Sequence, residues 1–423
     1  MFPKEFPKNF LWGATTSAHQ VEGGMHNDWT EWEKKNGGRL AREAEKRAVR
    51  EAGLASGLPA ISLPPEAFSA ENYVSGSSCG HYERYAEDFD LAKSLGHNAH
   101  RFSIEWSRIE PSEGVFDEKE IEHYRKVLRA LRQRGLEPLT TLWHWTLPVW
   151  ISRRGGVEDD RFPEYFARYA KKVGGSLGDL VQFWITLNEP TSVLLNGYLR
   201  GVWPPQKRSV VAAYRAAKNL ARAHREAYNI LHGLFPSVRV GFGNILIYTE
   251  PHSTSLLDRA AARFFGFWSN DYFFGLTGDT HDFLDLHYYF HSRVKFPFSV
   301  RNENRAVSDM GWEIYPEGIY HLLKKLSAPH KPVYITENGI ADAGDKKRAR
   351  FIREHLEWVH KAIQEGVDVR GYFYWSLLDN FEWDKGFWPR FGLFEVDRKT
   401  LERKKRPSAD VYAEIARTNS LPG

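Results

Sequence analysis

Two carboxylates stand out by where they fall in the chain. Val333-Tyr-Ile-Thr-Glu-Asn-Gly339 is a short apolar, β-branched run that ends on Glu337, an amide and a glycine. It reads as a buried strand that delivers Glu337 at its C-terminal tip, with Gly339 free to turn at once. Phe183-Trp-Ile-Thr-Leu-Asn-Glu-Pro190 has the same form and ends on Glu189. Pro190 predicts extended geometry for Glu189, at the strand end and not in the helix that follows. A lone glutamate of this kind is most often half of a buried ion pair or a surface carboxylate. Two of them, one preceded and one followed by asparagine, match what hydrolysis of a glycosidic bond requires. One carboxyl protonates the leaving oxygen and the other handles the anomeric carbon.

The elements that must position them come next. The chain has 423 residues, enough for one large α/β barrel or for two or three ordinary domains. Apolar residues make up 42% and support a large core. The net charge of +4 is spread without a basic block, which leaves no nucleic-acid footprint. Cys79 is the single cysteine, so no internal disulfide is possible. Met1 to Asn9 lacks the apolar core of a signal peptide, and no apolar run reaches the length of a membrane span. A soluble cytoplasmic protein is expected. Fifteen tryptophans serve a core, with some available to line a sugar site.

Apolar runs alternate with helical patterns along the whole chain. Strands are expected at 10–14, 98–104, 136–142, 183–189, 238–244, 283–289, 333–339 and 369–375. Helices are expected at 82–95, 117–134, 163–177, 210–233, 256–274, 316–326, after 345, and at 408–417. Asp117 with Glu120 predicts a capping box, and Asp345 predicts the N-cap of its helix. Eight strands alternating with helices predict one closed (β/α)8 barrel over residues 1–423. The segment 34–78, rich in Ala, Arg, Glu, Gly, Pro and Ser, reads as an insertion in the first βα loop. Its part 39–51 suits a charged helix and 55–65 a loop.

Active sites of such barrels lie at the C-terminal strand ends. This chain places Gln20, Arg101, His144, Asn188, Glu189, Asn244, Tyr289, Glu337 and Trp375 there, nearly all able to hydrogen-bond. Arg101 and Tyr289 are natural donors to an ionised Glu337. Glu189 would be raised by burial and by its negative neighbour, as a general acid needs. Sequence order alone does not divide the two roles.

The chain resembles glycoside hydrolase family 1, the β-glucosidase family of retaining enzymes on a (β/α)8 barrel. The likeness runs through Phe10-Leu-Trp-Gly-Ala-Thr-Thr-Ser-Ala-His-Gln20, Arg101-Phe-Ser103, Thr186-Leu-Asn-Glu-Pro190, Thr336-Glu-Asn-Gly339 and Tyr374-Trp-Ser-Leu-Leu-Asp-Asn-Phe-Glu-Trp383. Each motif is short; the set in this order is specific. The resemblance implies Glu189 as acid/base and Glu337 as nucleophile. It assigns sugar binding to Gln20, His144, Asn188, Trp375, Glu382 and Trp383. Tyr289 and Arg101 match the partners of the nucleophile, with Tyr289 also facing substrate. Trp312 matches the residue bordering the leaving group. Glu382, retained where the phospho-sugar branch carries a Lys-containing set, implies an unphosphorylated glycone, since a carboxylate would repel phosphate.

Two positions depart from the family pattern. His287 stands where the family usually has Asn, a change expected to touch the setting of Tyr289, and Thr146 where it often has Asp. No pair of histidines has metal-ligand spacing, and neither metal nor cofactor is expected. The implied activity is a retaining, exo-acting β-glycosidase on β-glucosides, with galactosides and fucosides tolerated. Its partner is a small-molecule glycoside or oligosaccharide, with no nucleic acid or membrane; the oligomeric state is left open. The rivals are a sugar-binding protein that lost turnover and an enzyme that chiefly transfers sugar to acceptors other than water.

Overall fold

The computed structural model describes residues 3–53, 63–303, 306–328 and 330–422. Eight parallel strands form its centre: β1 (Leu11–Thr15), β2 (Ala99–Ser103), β3 (Glu137–Trp143), β4 (Phe183–Asn188), β5 (Arg239–Pro251), β6 (Leu284–Lys295), β7 (Val333–Asn338) and β8 (Val369–Trp375). Each pairs with its sequence neighbour, and β8 pairs with β1, Tyr374 opposite Ala14, which closes the barrel. The expected strands are all present. β5 and β6 run longer than expected because their C-terminal halves keep pairing with each other, to Pro251 and Val294.

The strands are buried on both faces, so they read as apolar runs and not as alternating ones. Ala99, Leu139, Ile185, Phe283, Tyr334 and Phe373 pack together as a layer inside the barrel. Outside it, α1 (Asp28–Gly53) and then α2 (His81–Ser94), α3 (Glu118–Gln133), α4 (Phe162–Leu177), α5 (Val210–Leu234), α6 (Leu256–Gly266), α7 (Glu317–Leu326), α8 (Arg348–Gln364) and α9 (Pro407–Thr418) bury one face each. The expected helix over 256–274 is α6 continued by a π turn, Phe267–Asp271, and a short helix, Tyr272–Thr277.

Three local expectations fail. Glu189 is not extended: its φ of 39° and ψ of 61° are left-handed, and it caps the short helix that opens with Pro190. The proline keeps Glu189 out of the right-handed helical region, but a tertiary bond chooses the alternative, for the Glu189 amide donates to Gly243 O at 2.8 Å. Asp117 does cap α3, accepting from the amides of Lys119 and Glu120. Glu120 does not return the bond; it accepts from the Tyr82 hydroxyl, and the Asp117 amide donates to Ile109 O. Asp345 does not cap α8. Asp342 accepts from the amides of Lys347 and Arg348, while Asp345 pairs with the Arg348 guanidinium and accepts from Ser408. The buried Arg348 charge outcompetes the cap.

The inserted segment is ordered further upstream than expected. The helix predicted over 39–51 belongs to α1, which begins at Asp28. Of the stretch predicted as loop, 55–62 lies outside the described residues; Pro65–Phe68 is a 3₁₀ turn. The insertion also supplies core side chains. Leu40, Ala41 and Tyr73 are buried with Trp29, Trp32 and Trp383 in one cluster.

Candidate active site

All the expected strand-end residues gather at the C-terminal mouth of the barrel. A cavity of about 560 Å³ there is lined by Gln20, His144, Asn188, Glu189, Tyr289, Trp312, Glu337, Trp375, Glu382 and Trp383, a size usual for small-molecule sites. Arg101 lies below, fully buried on β2. Asn244 is buried too; it accepts from the Thr191 hydroxyl and is not among the lining residues.

Glu337 ends β7 and is held from two sides. The Arg101 guanidinium donates to its Oε1, and the Tyr289 hydroxyl donates to its Oε2 at 3.0 Å. Charge-assisted bonds of this kind favour a carboxylate that accepts and does not donate. The second Arg101 nitrogen donates to Asn188 Oδ1, which settles the orientation of that amide. Asn188 Nδ2 must then donate to His144 Nε2, at 3.1 Å. His144, kept neutral by burial and the Arg101 charge, therefore carries its proton on Nδ1, a donor suited to a sugar hydroxyl.

Glu189 ends β4 with less support. Its Oε2 accepts from Ser192 at 2.7 Å, and its Oε1 lies 2.7 Å from His287 Nδ1. Burial raises its pKa to about 7, while the Ser192 hydroxyl and Arg101 pull the other way. The raise thus comes from burial and not from the negative neighbour that was expected to help, Glu337, whose carboxylate is paired with Arg101. Carboxylate oxygens of Glu189 and Glu337 lie within 4.8 Å of one another, and His287 Nδ1 is 3.6 Å from Glu337 Oε2.

The far wall is aromatic. Trp383 meets Trp145 and Trp29 at 4.6 Å between centroids and stacks with His144 at 5.9 Å. Gln20 is turned by neighbours: it accepts from Ser17 and donates to Phe381 O at 2.8 Å and Asn380 Oδ1 at 3.1 Å. Glu382 beside it is raised to about 8 by burial and by Glu337, Asp384 and Glu189. That raise weakens the electrostatic argument from Glu382, because burial and its neighbours hold the carboxyl back from ionising. Of the two cations lining the pocket among the described residues, Arg200 and Lys385, Lys385 lies beside Glu382 and donates to Asp384 at 2.5 Å.

A two-part match settles the family. The model described as "Glycosyl hydrolase family 1" fits residues 64–283 and 290–421. The chain belongs to glycosyl hydrolase family 1. Among curated relatives, a "Beta-glucosidase A" of Thermotoga maritima is 33% identical, with 99% of each chain covered. A "Beta-galactosidase" of Sulfolobus acidocaldarius is 31% identical, covering 99% of this chain and 96% of the relative. Among solved structures, a β-glycosidase from Pyrococcus horikoshii superposes with a TM-score of 0.85 at 38% identity, covering 100% and 97% of the two chains. The Thermotoga maritima β-glucosidase in complex with glucoimidazole superposes at 0.84 and 31%, covering 99% and 100%. Family membership confirms the expected barrel and the glycosidase activity.

Sequence reasoning missed several residues of this family 1 site. Ser192 carried a signal, since a hydroxyl three residues into a helix faces the side chain at its cap. Trp29, Trp145 and Trp203 carried none beyond being aromatic. His287 was noticed, but for Tyr289; its contact is with Glu189.

Proposed function

We propose that this family 1 enzyme is an exo-acting β-glycosidase that removes unphosphorylated β-D-glucose, with galactose and fucose tolerated, and that Glu189 and Glu337 do its chemistry. One observation carries the reading. The two carboxylates approach within 4.8 Å between oxygens. Retaining pairs stand about 5–5.5 Å apart, and inverting pairs about 6.5–9.5 Å. The close approach favours the retaining arrangement, in which one carboxylate attacks directly.

Glu337, under Arg101 and Tyr289, is the nucleophile. Glu189 starts protonated and gives its proton to the glycosidic oxygen as the C–O bond breaks. Glu337 attacks the anomeric carbon from the opposite face and forms an α-glycosyl ester. Glu189, now a carboxylate, takes a proton from water, which attacks the same carbon and releases Glu337. Two inversions give retention. Gln20, His144, Asn188, Trp375, Glu382 and Trp383 bind the sugar, and Trp312, edge-on to Phe290 at 4.7 Å, borders the leaving group. The barrel with its insertion acts as one domain, and the lone Cys79 agrees with a cytoplasmic setting.

The test is turnover of an aryl β-glucoside by the wild type and by Glu337→Gly, with and without azide. Restored turnover with an α-glycosyl azide as product supports Glu337 as nucleophile. A β-azide, or no rescue of a folded variant, overturns it.

A further inference from the structure

We propose that His287 is a positioning residue that presents an acceptor nitrogen to Glu189 and so keeps the acid's proton on Glu189 until the leaving group takes it. The proposal rests on Glu189 being the acid/base.

The argument follows a chain of hydrogen bonds on the β6–β7 seam. His287 is fully buried. Its Nδ1 lies 2.7 Å from Glu189 Oε1, and its Nε2 lies 3.0 Å from Thr336 Oγ1. Thr336 has one hydroxyl proton, which it gives to Asp285 Oδ1. The Thr336 oxygen can then only accept from His287, which puts the ring proton on Nε2. A neutral imidazole protonated on Nε2 has a bare lone pair on Nδ1. At 2.7 Å from Glu189 Oε1, that contact is a hydrogen bond only if Glu189 supplies the proton. The neutral ring is consistent with its burial, which lowers the His287 pKa.

The charged groups facing the ring are few. Glu189 and Glu337 stand at Nδ1, Asp285 stands 3.6 Å from Nε2, and Arg101 acts from β2. Burial, the largest effect, and Glu337 raise the Asp285 pKa against the pull of His287, Arg101 and the Thr336 hydroxyl. The Thr336 hydroxyl donates to Asp285 Oδ1, so the chain runs in this direction with Asp285 ionised, and a protonated Asp285 would reverse it.

The ring also has space made for it. A β-carbon on Gly243 would lie 3.0 Å from His287 Nε2 and 3.1 Å from its Cε1. The same glycine's carbonyl takes the Glu189 amide. The β6–β7 register slips between Leu286 and His287, so that His287 faces Glu337 across the seam. Residues 284–289, which contain Asp285 and His287, fall between the two stretches matched by the family model.

The consequence concerns both half-reactions. Once Glu189 has lost its proton, its carboxylate faces a lone pair and not an N–H. A donor there would stabilise the anion and blunt its basicity; His287 does the reverse. An amide could turn its NH₂ to the carboxylate after the proton leaves. The pinned imidazole cannot.

The experiment compares the wild type with His287→Asn, Thr336→Val and Glu189→Gly. kcat/KM is followed against pH with a phenyl β-glucoside, which needs protonation, and a 2,4-dinitrophenyl β-glucoside, which does not. His287→Asn is expected to move the alkaline limb down by about one unit. Its loss on the phenyl substrate should exceed its loss on the dinitrophenyl substrate about tenfold, and Thr336→Val should move the limb the same way. Nitrogen NMR of labelled histidine should show His287 bare at Nδ1 and protonated at Nε2. An unmoved limb with equal losses on both substrates, or a protonated Nδ1 in the wild type, overturns the proposal. Glu189→Gly separates the two failures: a limb that survives it refutes Glu189 as the acid, whereas a limb lost there but unmoved in His287→Asn refutes only the role of His287.

Discussion

The Tyr289 hydroxyl donates to Oε2 of Glu337 at 3.0 Å, from the strand next to the one that carries the carboxylate. This bond and the Arg101 pair hold both oxygens, so the plane of the carboxylate is fixed before substrate arrives. Removing one donor leaves the geometry to Arg101 alone. Hydrogen bonds to charged groups contribute about 1.5–3 kcal/mol. Tyr289→Phe is therefore expected to lower kcat/KM on an aryl β-glucoside by about 10- to 100-fold. A fall of less than threefold, with Tm unchanged, would show that Arg101 suffices.

Asp28 predicts a pH effect on stability away from the two glutamates. It opens α1, accepts from the amides of Trp29 and Leu147, and is raised to about 7 by burial. The folded state thus holds this proton more tightly than the unfolded one. The contribution is fully present below the unfolded pKa of about 4 and is lost as pH rises through about 7. Asp28→Asn keeps a neutral acceptor there. Between about pH 5 and about pH 9 the variant should lose less Tm than the wild type, by roughly 2–4 °C. Parallel Tm curves would refute the buried proton.

Gly339 predicts a steric limit beside the site. A β-carbon there would lie 1.8 Å from the Trp375 carbonyl oxygen, a backbone atom that cannot swing away. Gly339→Ala must push β7 from β8 and displace Glu337 or Trp375. We expect a loss of more than about 2 kcal/mol in denaturant unfolding, together with most activity. Wild-type stability in this variant would mean that the strand ends part freely.

The Lys385–Asp384 pair bears on substrate choice. Lys385 is engaged by Asp384 beside Glu382, which leaves Arg200 as the other cation lining the pocket among the described residues. Assayed side by side, an aryl β-glucoside should exceed its 6-phosphate in kcat/KM by at least about 100-fold. Comparable values would move the enzyme to the phospho-sugar branch.

How much of this was legible beforehand differs by scale. β7 and β4 could be read because a strand buried on both faces is a plain apolar run, and its polar tip is where that run breaks. The candidate site residues were read from those breaks, and the structure gathers most of them around one cavity. Local backbone geometry did not. Glu189 is turned by Gly243, 54 residues later, and the cap of α8 was surrendered by Asp345 to a buried arginine. No window of sequence around Glu189 contains Gly243, and although Arg348 is only three residues from Asp345, its burial, which decides the pairing, depends on the tertiary fold. The same holds for His287, whose distance from Glu189 depends on a slip in register between β6 and β7.

Gln20 donates to the carbonyl of Phe381, and β1 is flanked by β8. Both glutamates lie before β8 in the chain. A chain ending before Val369 would carry Glu189 and Glu337 but lack Trp375, Glu382 and Trp383, and without β8 the barrel would stay open between β7 and β1. The last strand thus supplies closure and one wall of the pocket together, so the candidate site is a late product of the chain.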